Sequence, residues 1–117
     1  MMNSKKWTKC IISAVSNIAD EAFQRKSWFG KDNMCSSPEE DVCTLLDDFT
    51  FDKFLEENVN NLTPEELILG KELNESLMKY KKLDKDPNPI DILNDKGWDS
   101  IRVTAFKFLN ILKNKQK

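Results

Sequence analysis

The helical spacing of apolar residues is the feature that most restricts the fold of this chain. Near the N-terminus, Trp7, Ile11, Val15, Ile18 and Ala22 follow one another at intervals of three or four residues. This spacing describes one face of an α-helix, so it predicts an amphipathic helix over residues 5–26. No stretch of the chain alternates apolar and polar residues convincingly over the length of a strand, and no β-strand is predicted.

Sequence signals for helix starts locate further helices in the rest of the chain. Residues 37–40 and 63–66 share the pattern Ser/Thr-Pro-Glu-Glu, which supplies an N-cap hydroxyl, a Pro at the first helical position and a Glu at the capping-box position. Together with apolar periodicity, these signals predict further helices over about 38–49, 64–82, 89–93 and 96–114. A short helix is also predicted to restart at Thr50 or Asp52 and to end among Asn58, Asn60 and Asn61. The sequence therefore predicts an all-α protein, a bundle of five to six helices that forms one domain over residues 1–117.

The net charge of −2 conceals an acidic central segment. The chain has 18 Lys and Arg against 20 Asp and Glu, but residues 32–66 alone carry a net charge of −10. Two interpretations remain open: a solvated surface that partly serves helix N-termini, and a negative field that attracts a basic protein partner. The same field would repel phosphates, so no binding of nucleic acid is expected.

Seven carboxylates of this segment are the candidate partner-binding residues. A role at helix N-termini accounts well for Glu39, Glu40, Glu65 and Glu66, but it accounts poorly for the acids that continue through the two short helices after residue 38. The candidates for steering and salt links to a partner are Glu39, Asp41, Asp47, Asp48, Asp52, Glu56 and Glu57.

The residue types argue against catalysis and against a metal or cofactor. The chain has no His, and its three cysteines form no Cys-x-x-Cys pair, so zinc binding and thiol catalysis are not expected. Residues 84–95 match part of a calcium-loop template, but Pro89 stands where the template needs Gly. We therefore expect a protein that is not an enzyme and that holds no cofactor and no metal.

The chain also lacks signals for export or membrane insertion. No window approaches the ~18 apolar residues that a membrane-spanning helix requires. Ile11 and Ile12 are soon followed by polar residues, so no signal peptide is predicted. These observations predict a soluble, cytoplasmic protein with no membrane contact.

Aromatic residues present one open choice. Trp7 and Trp98 lie on helical apolar faces, and we assign both to the core. Trp28 and Phe29 stand at the end of the first predicted helix, before Gly30, where no apolar face requires them. They form either a small buried cluster or an exposed anchor for a partner.

Several of these motifs together resemble a known group of proteins. The run Ser36-Ser37-Pro38-Glu39-Glu40-Asp41-Val42-Cys43, followed by Leu46-Asp47-Asp48-Phe49 and Phe51-Asp52-Lys53-Phe54-Leu55, resembles the small helical immunity proteins of bacterial contact-dependent growth inhibition and related polymorphic toxin systems. Leu62-Thr63-Pro64-Glu65-Glu66 and Trp98-Asp99-Ser100-Ile101-Arg102 add to the resemblance.

The resemblance implies a cytoplasmic protein that binds one cognate toxin domain, often a nuclease with a basic active site, and blocks its activity. It carries over no catalytic residue. The alternative hypothesis is a helical adaptor or regulatory subunit that binds its partner through an apolar surface anchored by Trp28 and Phe29. A small enzyme or ion-binding domain is the third hypothesis, and it depends on residues 84–95.

Overall fold

The long C-terminal helix packs against the other two long helices. The computed structural model describes residues 4–29, 36–80, 83 and 88–115. Its helices are α1 (Ser4–Ala19), α2 (Glu21–Ser27), α3 (Pro38–Cys43), α4 (Phe51–Glu57), α5 (Pro64–Lys79), α6 (Pro89–Leu93) and α7 (Lys96–Lys115). A π-helical turn (Thr44–Asp48) follows α3, and a 3₁₀ turn (Val59–Asn61) follows α4. The predicted all-α fold class is confirmed, since the described residues contain no strand.

The apolar faces predicted from periodicity form one core. Helix α7 contacts α1, α5 and α6, while α4 contacts α5 and α3 contacts α1. Trp7 and Trp98 both lie in this core, as predicted, and Trp98 has no exposed surface. Burying side chains of this size contributes roughly 1.5–3 kcal/mol each. None of the described helices is both long and apolar enough to cross a membrane.

The prediction of one continuous helix over residues 5–26 is wrong, because the chain breaks at Asp20. Asp20 adopts extended backbone angles and caps α2, its Oδ1 accepting a 3.0 Å hydrogen bond from the amide of Phe23. The buried Gln24 carboxamide donates to the carbonyl oxygens of Asn17 (2.9 Å) and Ile18 (2.8 Å), at the end of α1. The break is stable because both helix ends obtain hydrogen-bond partners.

The acidic segment contains two helical pieces joined by a strained residue. In the π-helical turn the amide of Phe49 donates to the carbonyl of Thr44 at 3.0 Å. Thr50 then has φ 43° and ψ 62°, which is the left-handed region that a β-branched residue rarely adopts. The expected restart at Thr50 occurs, but the Thr50 side chain makes no capping hydrogen bond, and α4 begins at Phe51.

Helix α5 starts as predicted and ends early. Thr63 and Glu66 form a complete capping box, with the Glu66 amide donating to Thr63 Oγ1 and the Thr63 amide donating to Glu66 Oε1. The helix ends at Lys79, before the predicted end near residue 82, because Tyr80 has an extended ψ of 90°. Within this helix, the side chains of Leu55 and Phe108 lie close to Gly70.

Candidate functional site

Asp41 does not belong to the exposed acidic face. Its side chain lies in the interior, only 8% exposed, where Oδ2 accepts hydrogen bonds from Trp28 Nε1 (2.7 Å) and Ser36 Oγ (3.2 Å). Burial is the main cause that raises the pKa of Asp41 above its ordinary value, while the two hydrogen bonds act in the opposite direction. We therefore correct the placement of Asp41 on an exposed acidic face: its carboxylate is buried and hydrogen-bonded to Trp28 and Ser36.

The hydrogen bond to Asp41 also holds Trp28, one residue of the aromatic pair, in the interior. Trp28 is 7% exposed and its ring lies against Trp98, with ring centroids 5.7 Å apart, whereas Phe29 is 43% exposed. Trp28 is therefore part of the buried cluster, which was one of the two alternatives left open by the sequence. Of the pair, only Phe29 is available to a partner, and the expected end of the helix at Gly30 lies outside the described residues.

Five of the seven candidate carboxylates are exposed. Asp47 and Asp48 end the π-helical turn, Asp52 lies in the first turn of α4, and Glu56 and Glu57 end α4. None of the five forms an ion pair with another described residue. We call these five residues the acidic surface. Their charges remain available to a partner because no cation among the described residues neutralises them.

Four of these carboxylates lie where a helix tolerates negative charge least. The carbonyl end of a helix carries a partial negative charge, so Asp and Glu there destabilise it, and basic residues are favoured instead. Neither the π-helical turn nor α4 has a basic residue in its last turn. Stabilisation of helix N-termini therefore explains Asp52 and Glu39 in their first turns, but it does not explain Asp47, Asp48, Glu56 or Glu57.

Cys43 shows that part of the acidic segment converges in space. The thiol is exposed, and its pKa is raised, first by partial desolvation and then by the charge and hydrogen bond of Asp47 and the charges of Asp48 and Glu39. Helix α3 and the π-helical turn therefore bring Glu39, Asp47 and Asp48 to one side of the molecule. The π-helical turn also contacts α4, which carries the other three carboxylates of the acidic surface.

The backbone between the two acidic pieces has unusual geometry. The left-handed Thr50 lies between Asp48 and Asp52, directly after the π-helical turn. A β-branched residue in this region costs about 1–3 kcal/mol, and such strain and π-helical turns both concentrate at functional sites. Thr50 therefore separates the π-helical turn, which carries Asp47 and Asp48, from α4, which carries Asp52, Glu56 and Glu57.

A cleft opens between α3 and the C-terminal end of α5. Its volume is about 220 Å³, and its walls include Glu39, Val42, Cys43, Leu46, Leu77 and Tyr80. Met78, which is 63% exposed, also lines it. We call it the α3–α5 cleft. Sequence reasoning missed it because no local pattern indicates that residues near 42 and residues near 78 meet.

A larger and shallower groove lies between α5 and α7. Ile68, Leu69 and Ile111 line it, with Glu65 and Lys107 beside them, and its volume is about 610 Å³. Ile68 is 66% exposed. This α5–α7 groove is the apolar surface most relevant to the adaptor hypothesis now that Trp28 is buried.

The described residues contain no cluster of His, Cys, Asp or Glu suited to hold a metal ion. Residues 84–87 of the partial calcium template lie outside the described residues. Asp95, the template's last position, accepts a 2.6 Å hydrogen bond from the Tyr80 hydroxyl.

Comparisons with protein-family models, with curated proteins and with solved structures found no match to this chain.

Proposed function

We propose that this protein binds a basic protein partner through the acidic surface, and that the partner is a toxin domain whose activity the complex blocks. In this proposal the protein acts in the cytoplasm, by stoichiometric binding and without catalysis. The observation that carries the proposal is the position of Asp47, Asp48, Glu56 and Glu57: four exposed carboxylates at two helix C-terminal ends, none of which has an ion pair with another described residue.

The electrostatic argument has two steps. Carboxylates at the carbonyl end of a helix reduce stability, so the fold itself gives no reason for them. A concentrated negative field accelerates encounter with a positively charged protein and excludes acidic competitors. A basic nuclease domain fits this field because its active site is built to bind phosphate, and carboxylates reproduce the negative charge of phosphate.

The resemblance to immunity proteins supplies the biological role within the proposal. The acidic surface supplies only the chemistry of the partner. A partner that is basic but not toxic would therefore retain the binding part of the proposal and reject the neutralising part.

A second candidate function is an adaptor that binds an apolar helix in the α5–α7 groove. The exposure of Ile68 favours it, since a large apolar side chain on the surface often marks a contact. Salt separates the two candidates: high salt weakens binding through the acidic surface, and it leaves binding through the groove nearly unchanged.

The test combines capture with neutralisation. The tagged protein is incubated with extract of its native organism at low salt, retained proteins are identified, and the candidate partner is then expressed in a host cell with and without this protein. We expect growth arrest by the partner alone and normal growth when both are present. A partner that arrests growth equally in both cases would reject neutralisation.

Matched variants locate the contact. Glu56→Gln/Glu57→Gln removes two charges from the acidic surface, and Glu72→Gln/Glu75→Gln removes two exposed charges from α5. We expect the first variant to slow association by about tenfold at low salt and the second by less than about twofold. Equal effects of the two variants would show that only net charge matters, which would reject the acidic surface as the contact.

A further inference from the structure

We propose that the α5–α7 groove is the contact between two copies of this chain, which pair about a twofold axis that runs along the groove. This inference goes beyond the proposed function and does not rest on it, because no residue that lines the groove belongs to the acidic surface. It assigns the groove to a second copy, so the apolar helix of the second candidate function is a competing occupant.

The groove exposes apolar side chains over more than one helical turn. Ile68 on α5 is 66% exposed, and Leu69 and Ile111 are partly exposed beside it. On α7, Val103 lies one turn before Lys107 on the same side of the helix and is 46% exposed. The groove volume of about 610 Å³ equals that of roughly twenty water molecules at about 30 Å³ each. A helical surface of another chain therefore fits the groove better than an ion or a single side chain.

The two walls of the groove carry opposite charges. Among the residues that line it, Glu65 on the α5 wall and Lys107 on the α7 wall are the charged ones, and both are exposed. Neither forms an ion pair with another described residue. A complementary surface therefore presents a positive charge to α5 and a negative charge to α7.

The directions of α5 and α7 allow a second copy to pack on the groove. Tyr80, at the end of α5, contacts Trp98 near the start of α7 with ring centroids 5.7 Å apart, and Gly70 lies close to Phe108, so the two helices run antiparallel. A twofold axis along the groove keeps the direction of each helix and places α5 of one copy over α7 of the other. Each helix then has antiparallel neighbours, as in an up-down four-helix bundle.

The same symmetry pairs the charges. Because Glu65 and Lys107 line one groove, the axis places Glu65 of each copy opposite the wall that carries Lys107 of the other copy. The apolar side chains of Ile68 and Ile111 from both copies lie between these two charge pairs. A uniformly basic partner would instead bring a like charge to Lys107, and a uniformly acidic one would bring a like charge to Glu65. The charge pattern therefore favours a second copy as the occupant.

The size of the face that α5 and α7 share sets the expected strength of the dimer. Helix α5 has 16 residues and is about 24 Å long, and two adjacent helices are about 20 Å wide, so their common face covers about 500 Å². An interface of standard size takes about 800 Å² from each partner. We therefore expect a weak and reversible dimer, with a Kd on the order of tens of micromolar.

Sedimentation velocity of the full chain, over concentrations from about one-tenth to about ten times the expected Kd, measures this dimer. Ile68→Ser and Met78→Ser are the matched variants, because both residues lie on α5 and are 66% and 63% exposed, but only Ile68 lines the groove. We expect Ile68→Ser to weaken the dimer by about tenfold or more and Met78→Ser by less than about twofold. A monomer at all concentrations, or equal effects of the two variants, would overturn the proposal.

Charge reversal tests how the two copies are oriented. In a homodimer, Glu65→Lys places two lysines opposite each other and Lys107→Glu places two glutamates opposite each other, so we expect each variant alone to dimerise about tenfold more weakly. An equimolar mixture of the two variants should form a heterodimer, because both contacts then join opposite charges. A mixture that associates no better than either variant alone would overturn the proposal. The comparison of Ile68→Ser with Met78→Ser does not depend on whether the charge-reversed variants fold.

The dimer and the proposed function fail in different experiments. A monomeric protein that binds its partner through the acidic surface would reject the dimer and leave the proposed function in place. A monomeric protein that loses an apolar partner helix after Ile68→Ser would reject the dimer and support the adaptor. A dimer of the predicted orientation whose captured partner is unaffected by the acidic-surface variants would support this inference and reject the proposed function.

Discussion

The indole Nε1 of Trp28 donates a 2.7 Å hydrogen bond to Oδ2 of Asp41, and this contact joins the segment after α2 to helix α3. The carboxylate also receives the Ser36 hydroxyl, whose oxygen lies 2.6 Å from that of Ser27. An acidic residue of the strongly negative segment is thereby used inside the protein. The number of acidic residues in a sequence therefore overestimates the negative charge on the protein surface when a buried hydrogen-bond donor holds one of the carboxylates in the interior.

Asp41→Asn tests this interior role through pH. At neutral pH we expect the free energy of unfolding to fall by about 1–3 kcal/mol, because an amide replaces a buried carboxylate acceptor. Since burial raises the pKa of Asp41 in the folded protein, the folded state binds its proton more tightly than the unfolded chain does. The wild type should therefore gain stability relative to the variant as pH falls from the folded pKa toward the unfolded value of about 4. Urea denaturation at several pH values measures this difference, and a constant difference would contradict the raised pKa.

Neutralising a carboxylate should raise the free energy of unfolding at the C-terminal end of a helix and lower it at the N-terminal end. Glu56→Gln/Glu57→Gln removes negative charge from the carbonyl end of α4, and we expect a gain in unfolding free energy of a few tenths of a kcal/mol. Glu65→Gln removes it from the first turn of α5 and should lower stability by a similar amount. Thermal unfolding at low salt measures both. If Glu56→Gln/Glu57→Gln lowers stability, these carboxylates have a structural role and the argument for the acidic surface fails.

Cys43 can report the local field directly. In a Cys10→Ser/Cys35→Ser background, Asp47→Asn/Asp48→Asn should lower the pKa of the Cys43 thiol and increase its rate of alkylation by iodoacetamide near pH 8, because thiolate is the reactive form. Glu56→Gln/Glu57→Gln is the control, since Glu56 and Glu57 are not among the charges that raise this pKa. An unchanged rate after Asp47→Asn/Asp48→Asn would show that these carboxylates do not converge on Cys43.

Gly70 tests the packing of α5 against its neighbours. A Cβ at this position would lie 2.6 Å from Leu55 Cδ2 and 3.2 Å from Phe108 Cε1, so the buried Leu55 side chain would have to move. We expect Gly70→Ala to lower stability by about 1 kcal/mol, because overpacking outweighs the better helix propensity of Ala. In a Leu55→Ala background the same change should be neutral or stabilising. Equal effects in both backgrounds would contradict the close approach.

The strain at Thr50 predicts a stabilising substitution. Asn tolerates the left-handed region better than Thr does, so Thr50→Asn should raise the free energy of unfolding by about 0.5–1 kcal/mol. Thr44→Asn is the control, because Thr44 is helical and its hydroxyl donates to the Glu40 carbonyl. The Tm of each variant measures the effect, and a decrease for Thr50→Asn would contradict the strain.

The sequence by itself determined the helices and their inward faces. Periodicity placed Ile11, Val15 and Ile18 on one side of α1, and cap motifs located the starts of α3 and α5. These features are local: each depends on hydrogen bonds and side-chain spacing within about one or two helical turns, so they can be identified without knowing what packs against them. The acidic surface was found on the same basis, because the Asp and Glu residues that form it are close in sequence.

The tertiary structure determined which polar side chains are exposed to solvent and which are buried. Trp98 Nε1 donates a 3.2 Å hydrogen bond to Oε1 of Gln24, which is 74 residues away in sequence, and this contact helps to fix the break between α1 and α2. Asp41 is buried and accepts a hydrogen bond from Trp28, and Glu39 lines a cleft together with Leu77 and Tyr80. A buried polar group is stable only with a partner, and the partner's position depends on how distant helices pack, which no local pattern specifies.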